Sequence, residues 1–164
     1  MESVILNTHQ LEQKIQRIAY QLFEEHQDEE TLIFAGVNGN GFLFAKEINT
    51  FFQTICPIKT TVLEVIVDKS NPFKQAISCN DQGIENTALI LIDDVLNSGS
   101  TLIAAVHYFL KKPMKKIKTV VLIDRNHRTF PIAADFVGMS LATTLQEHVE
   151  VRSENGILKE VILK

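Results

Sequence analysis

The fold of this chain is decided by one stretch, Ala88-Leu-Ile-Leu-Ile-Asp-Asp-Val-Leu-Asn-Ser-Gly-Ser-Thr101. Its first five residues are apolar without polar alternation, which predicts a strand buried on both faces of a parallel sheet. Two carboxylates, Asp93 and Asp94, follow the strand. A short hydroxyl-rich turn then leads into the apolar periodicity of residues 102–110, which predicts a helix. Strand, turn and helix in this order indicate a parallel α/β unit.

The turn before the predicted helix has the features of an anion site. Free backbone N–H groups and the positive end of the helix dipole favour a phosphate there. The small residues of the turn allow close approach and supply hydroxyl donors: Ser98, Gly99, Ser100 and Thr101. Asp93 and Asp94 are suited to sugar hydroxyls or to a hydrated Mg²⁺. The implied ligand is a sugar phosphate with a metal, and the alternative is a plain helix cap beside a solvated strand end.

This stretch resembles the phosphoribosyl pyrophosphate (PRPP) signature of type I phosphoribosyltransferases. In that signature a hydrophobic strand precedes two acids, two hydrophobic residues, any residue, Thr or Ser, Gly, any residue, and Thr or Ser. A second block, residues 121–138, is similar to a segment of the bifunctional pyrimidine-operon attenuator and uracil phosphoribosyltransferase family. The resemblance implies an α/β type I phosphoribosyltransferase fold, with a central parallel sheet flanked by helices, a small hood and a flexible loop.

The same resemblance implies an activity in nucleotide metabolism. Such an enzyme uses Mg²⁺ and PRPP to convert a nucleobase, here uracil, to its nucleoside monophosphate with release of pyrophosphate, as in pyrimidine salvage. By this resemblance residues 98–101 bind the PRPP phosphate, and the catalytic positions are Asp93, Asp94 and Asn97, of which the two aspartates also serve the metal. A homodimer or higher homo-oligomer is implied as well.

Two further segments are expected to bind the leaving pyrophosphate. A strand over residues 31–37 precedes the turn Asn38-Gly-Asn-Gly41, where the family has its pyrophosphate loop. A long polar stretch, residues 68–86, corresponds to the flexible loop and carries two cations. The predicted pyrophosphate ligands are therefore Asn38, Gly39, Lys69 and Lys74. A plain tight turn and solvated lysines remain the alternatives.

The nucleobase is expected near the end of the strand predicted over residues 117–123. Loops at the carboxyl ends of parallel strands bind ligands in such folds, which places Arg125 in the crevice as a donor. By resemblance Phe136 stacks on the base and Val137 binds its edge through the main chain. Without the resemblance Phe136 is a core residue, and His127 is more simply a structural histidine than a catalyst.

Length and composition set the remaining limits. The 164 residues, 45% of them hydrophobic, predict one domain over residues 1–164 with a sizeable core. No apolar run is long enough for a membrane span, and the N-terminus has no basic region before a hydrophobic one. The two cysteines lack the spacing of a metal or redox site. A cytoplasmic protein is therefore expected. A closing hairpin is predicted around Asn155-Gly156.

A second functional class stays open beside the enzyme. Asn97 stands where relatives have an acid or Tyr, and Asn38 stands where many have a basic residue, which leaves slow or narrow catalysis open. The alternative is a weakly catalytic or non-catalytic regulator that senses PRPP or nucleotide and binds RNA. The net charge of −4 opposes RNA binding, whereas five lysines offer a local basic edge: Lys111, Lys112, Lys115, Lys116 and Lys118.

Overall fold

A computed structural model describes all 164 residues, Met1–Lys164. It contains three helices, α1 (Thr8–Glu25), α2 (Asn40–Ile55) and α3 (Ser100–Leu110). None of them is long and apolar enough to cross a membrane. The nine strands are β1 (Ser3–Leu6), β2 (Thr31–Val37), β3 (Lys59–Ile66), β4 (Ser78–Cys79), β5 (Ala88–Leu96), β6 (Lys116–Asp124), β7 (Phe136–Ser140), β8 (Val149–Glu154) and β9 (Ile157–Leu163).

Six strands form the central sheet in the order β4-β3-β2-β5-β6-β7. All neighbouring pairs are parallel except β3 and β4, which pair antiparallel at the edge. The buried-type strand predicted from the sequence is β5, which lies between β2 and β6. The predicted parallel sheet is therefore confirmed.

The core lies on both faces of this sheet. In β5 the side chains of Ile90 and Ile92 join one buried cluster with α1 and α2, while Leu89 and Leu91 join a second cluster with α3. Burial on both faces explains why this strand shows no polar alternation. The strand runs on to Leu96, so Asp93 and Asp94, which were predicted to follow it, lie within its last four residues.

The segments near the termini form the hood, a three-stranded antiparallel sheet in the order β1-β9-β8. The hairpin predicted around Asn155-Gly156 joins β8 to β9, and both residues adopt positive φ, 52° and 75°. The long stretch between β3 and β5 contains only the two-residue β4. Strand β1 was not predicted, because four residues do not show a period.

Candidate active site

A cavity of about 360 Å³ lies at the carboxyl end of β5, between the starts of α2 and α3 and the hood strand β8. Residues 93–102 supply most of its wall. Asn40, Lys69 and Val121 line it from the neighbouring elements, and residues 148–151 close it from the hood. The predicted acidic pair and the predicted phosphate turn therefore share one cavity.

Asp93 and Asp94 sit at the floor of this cavity and share one cation. The Nζ of Lys69 lies 3.3 Å from Asp93 Oδ1 and 3.5 Å from Asp94 Oδ1. Asp93 is buried, and its Oδ1 also accepts a hydrogen bond of 2.8 Å from the Asp94 backbone N–H. Gly41 at the start of α2 packs directly against it, because a Cβ there would lie 2.9 Å from Asp93 Oδ1. No pattern in the sequence indicated this packing role of Gly41.

Burial raises the pKa of the Asp93 carboxyl, and the neighbouring charge of Asp94 raises it further, to about 7. The Lys69 ammonium opposes this rise. Burial also opposes the charged form of Lys69, yet the two carboxylates outweigh it and raise the pKa of that ammonium. The cavity thus holds a proton-sensitive acidic pair with its own internal counter-ion.

Asp93→Asn is expected to stabilise the fold at alkaline pH. The pKa of this carboxyl rises on folding from its ordinary 3.8 to about 7. The unfolded chain therefore releases the proton first, and the stability penalty grows from about pH 4 and is complete above pH 7. The Tm of the variant should exceed that of the wild type by about 4 °C or more at pH 8. Thermal melts should show this Tm difference shrinking toward pH 5. The same Tm difference at both pH values would contradict the raised pKa of Asp93.

The pair suits Mg²⁺ better than a metal bound by protein ligands alone. Two carboxylates already hold one cation between them, as the Lys69 contacts demonstrate. No group of three or more His, Cys, Asp or Glu side chains in the chain is arranged to hold a metal ion. Mg²⁺ commonly takes one or two carboxylates and completes its shell with water and substrate oxygens.

The phosphate turn begins α3 as predicted. Gly99 adopts φ of +89° and, as the N-cap residue, has no side chain to cap the helix. The Ser100 N–H donates to Ser98 Oγ at 3.2 Å, which leaves the N–H groups of Thr101 and Leu102 for a ligand. The hydroxyls of Ser98 and Ser100 lie 3.0 Å apart. The backbone N–H groups of Thr129 and Phe130 donate to the Ser98 carbonyl at 2.9 and 3.1 Å, which ties the turn to the loop after β6.

Asn97 lines the cavity with its carboxamide held from behind. Arg125 Nη1 donates to Asn97 Oδ1 at 3.0 Å. The remaining donors of Arg125 reach Thr143 Oγ1 and the carbonyls of Thr144 and Glu147, so this buried guanidinium anchors the loop before β8. Arg125 itself lies outside the cavity lining. The amide Nδ2 is therefore the group that Asn97 has free for a ligand, and it is a donor.

The predicted pyrophosphate ligands are divided by the structure. Lys69 lines the cavity, whereas Asn38, Gly39 and Lys74 do not. Asn38 Oδ1 instead accepts a hydrogen bond from the Val67 N–H at 2.9 Å and continues the pairing of β2 with β3. From the same turn it is Asn40 that reaches the cavity, and its Nδ2 donates to the Val151 carbonyl at 2.8 Å.

The predicted base-binding segment also lies outside the cavity. Phe136 and Val137 belong to β7 and pack against the two core clusters. Arg17 of α1 donates to the carbonyls of Val137 and Gly138 at 3.0 and 2.6 Å. The hood residues His148 and Val149 line the cavity instead. Sequence reasoning did not select them, because they look like any residues at a strand start.

The lysine edge proposed for RNA is largely neutralised. Lys112 pairs with Asp81 and Glu85, at 3.2 and 3.7 Å. The other ion pairs join Lys115 to Glu29 at 2.9 Å and Lys118 to Glu25 at 3.5 Å. Paired lysines contribute little to a phosphate-binding surface, so the structure lends this edge no support as an RNA interface.

Comparison with known proteins agrees with this geometry. The phosphoribosyl transferase domain family matches residues 2–153. The bifunctional protein PyrR of Haemophilus ducreyi is 34% identical over 165 residues, covering 94% of this chain and 92% of that protein. The bifunctional protein PyrR of Staphylococcus saprophyticus is 31% identical over 163 residues, covering 93% of each.

Solved structures show the same fold. The hypoxanthine phosphoribosyltransferase of Trypanosoma cruzi superposes with a TM-score of 0.82 at 15% identity, covering 98% of this chain and 95% of that chain. A hypoxanthine-guanine phosphoribosyltransferase of Bacillus anthracis gives a TM-score of 0.69 at 23% identity, covering 84% and 81%. These likenesses extend over the sheet, the helices and most of the remaining chain.

Proposed function

Because the chain belongs to the phosphoribosyl transferase domain family, has the type I fold and stands close to the bifunctional PyrR proteins, we propose that it transfers the phosphoribosyl group of PRPP to uracil. The observation that carries this proposal is the meeting of Asp93 and Asp94 with the uncapped start of α3 in one cavity. A sugar that carries phosphate at one end and pyrophosphate at the other requires both features.

Each end of PRPP has a matching group. The terminal phosphate binds the N–H groups and hydroxyls of residues 98–101. Asp93 and Asp94 hold the ribose hydroxyls together with Mg²⁺, which supplies charge neutralisation for the pyrophosphate when bound. Lys69 then leaves the acidic pair and offers its ammonium to the leaving pyrophosphate. Asn38, Gly39 and Lys74 remain predicted pyrophosphate ligands that require movement of their loops.

The reaction is a substitution at the anomeric carbon. The N1 nitrogen of uracil forms a bond to that carbon while the bond between the carbon and the pyrophosphate oxygen breaks, and positive charge develops on the sugar ring. The N1 proton passes to the departing pyrophosphate or to water. Asp93 and Asp94 stabilise this charge electrostatically, and the cavity aligns the two reactants. No step requires a covalent enzyme intermediate.

We place the base between Asn97 and the hood residues His148 and Val149. Asn97 has a donor free, and uracil carries a carbonyl oxygen next to its reacting nitrogen, whereas a purine has none next to its own. This match supports uracil as substrate. Arg125 acts on the base indirectly by orienting Asn97, and Phe136 and Val137 support the neighbouring strand.

His148→Ala is expected to raise the KM for uracil about tenfold while kcat falls less, because an imidazole against the base contributes about 1–3 kcal/mol. The matched variant Phe136→Ala should lower the Tm and leave the KM for uracil within about twofold. Steady-state pyrophosphate release over a range of uracil concentrations measures both. A raised KM for uracil in Phe136→Ala, with an unchanged KM in His148→Ala, would instead indicate that the base binds at β7.

Calorimetric titration of PRPP with Mg²⁺ tests the function at the binding step. The wild type should bind one PRPP per chain, and binding should weaken at least about tenfold when Mg²⁺ is omitted, since phosphate charges then face Asp93 and Asp94. Absence of PRPP binding both with and without Mg²⁺ would refute the proposal.

A further inference from the structure

A second cavity, of about 690 Å³, lies on the other side of α3 and shares no lining residue with the active-site cavity. We call it the loop–α3 groove. It is lined by residues 72–77 of the long loop, by one face of α3 from Ile103 to Tyr108, by Lys111 just after that helix, and by Phe130. The transferase reaction proposed above uses none of these groups except Lys74.

The groove is cationic in an acidic protein. Lys74, His107 and Lys111 line it, and no carboxylate does. None of these three side chains takes part in an ion pair, whereas Lys112, just beyond Lys111, pairs with Asp81 and Glu85. Unpaired cations gathered at one cavity create a local potential that favours an anion.

The groove is also aromatic. Phe73 and Phe130 lie with ring centroids 5.1 Å apart and are 58% and 36% exposed. Tyr108 adds a third ring from α3. Exposed, tilted aromatic side chains offer stacking faces to a planar ring, and such stacking does not depend on the identity of the base.

We propose that the loop–α3 groove binds a planar aromatic phosphate, of which a nucleoside phosphate is the chemical class. The ring packs against Phe73 and Phe130, and the phosphate meets Lys74, His107 and Lys111. This combination of charge and aromatic surface separates the groove from a purely apolar dimer contact, which would not require two unpaired lysines and a histidine.

The groove is mechanically connected to the active site, and this part of the inference rests on the proposed transferase function. The loop that supplies Phe73 and Lys74 also supplies Lys69, which bridges Asp93 and Asp94. Phe130 is hydrogen-bonded through its N–H to Ser98 of the phosphate turn. A ligand in the groove holds the loop against α3 and restrains Lys69 from leaving the acidic pair, so it should lower kcat and weaken PRPP binding by a limited factor rather than exclude PRPP.

Calorimetric titration of GTP and of UTP, each into protein already saturated with PRPP, tests the site. At least one nucleotide should still bind, and Lys74→Gln/Lys111→Gln should weaken that binding at least tenfold. The control Lys112→Gln/Lys115→Gln removes two paired lysines outside the groove and should change the affinity less than twofold. Inorganic phosphate should bind far more weakly than the nucleotide, because it lacks a ring.

Three results would overturn the proposal: strict competition between nucleotide and PRPP, equal affinity in the groove variant, or phosphate binding as tight as nucleotide binding. Loss of dimers in sedimentation of Phe73→Ala/Phe130→Ala, together with absence of nucleotide binding to the wild type, would instead assign the groove to self-association. Failure of PRPP to bind refutes the transferase proposal separately, since nucleotide binding to the groove variant and its control is still measured without PRPP.

Discussion

We expect Asp93→Asn/Asp94→Asn to lower kcat/KM for pyrophosphate release by at least about 10³-fold. The change removes the two carboxylates that share Lys69 at the end of β5, and with them the charge proposed to stabilise the developing cation. The same change should not unfold the protein. Burial disfavours the ionised carboxyl of Asp93, so a neutral asparagine there removes that free-energy penalty on folding. Both asparagines can still accept the local backbone hydrogen bonds.

Asp124→Asn is the matched control. This buried aspartate ends the neighbouring strand β6, but it pairs with Arg128 at 3.0 Å and does not line the cavity. Activity should change less than about tenfold, because Asp124 does not line the cavity and its replacement removes no charge that faces the reacting atoms. A folded double variant that keeps more than a tenth of wild-type kcat/KM would refute the role of the acidic pair.

Gly99→Ala is expected to raise the KM for PRPP at least about tenfold. Gly99 has φ of +89°, where an alanine costs about 1–2 kcal/mol, and its Cβ would lie 2.7 Å from Ile132 Cγ2. Relief of that contact must shift the turn of residues 98–101, whose N–H groups we propose to bind the terminal phosphate. The measurement is initial rate against PRPP concentration, together with a thermal melt.

Gly156→Ala separates backbone strain from site disruption. Gly156 has φ of +75° in the hood hairpin, and a Cβ there meets nothing within 4 Å. Both variants should have a lower Tm than the wild type, but only Gly99→Ala should bind PRPP more weakly. Equal KM values for the two variants would mean that the turn does not bind the phosphate.

The sequence predicted most of the sheet because periodicity and burial are local signals. Residues 88–92 have no polar alternation, and they form the core of the strand that is buried on both faces. The phosphate turn was equally visible, since glycine and hydroxyl residues at a helix start carry their own chemistry. Asp93 and Asp94 needed no tertiary information to be placed beside it.

The hood residues proposed to contact the base, His148 and Val149, could not be predicted because their position depends on tertiary contacts. His148 comes to the cavity when the hood folds over β5, and Arg125 fixes that approach by binding the loop at Thr143, Thr144 and Glu147. The resemblance places the base at Phe136, which pairs with Val120 from the edge strand β7 and does not line this cavity. The ion pairs of the lysine edge also depend on tertiary contacts, because the partners Glu25, the last residue of α1, and Glu29 lie far away in sequence.

Pyrophosphate release with Mg²⁺, PRPP and each of uracil, hypoxanthine, guanine, adenine and orotate tests the central claim most directly. We predict turnover with uracil above all other bases, and loss of that turnover in Asp93→Asn/Asp94→Asn. Turnover confined to hypoxanthine or guanine would keep the transferase but contradict the role given to Asn97. No turnover with any base would contradict the account itself.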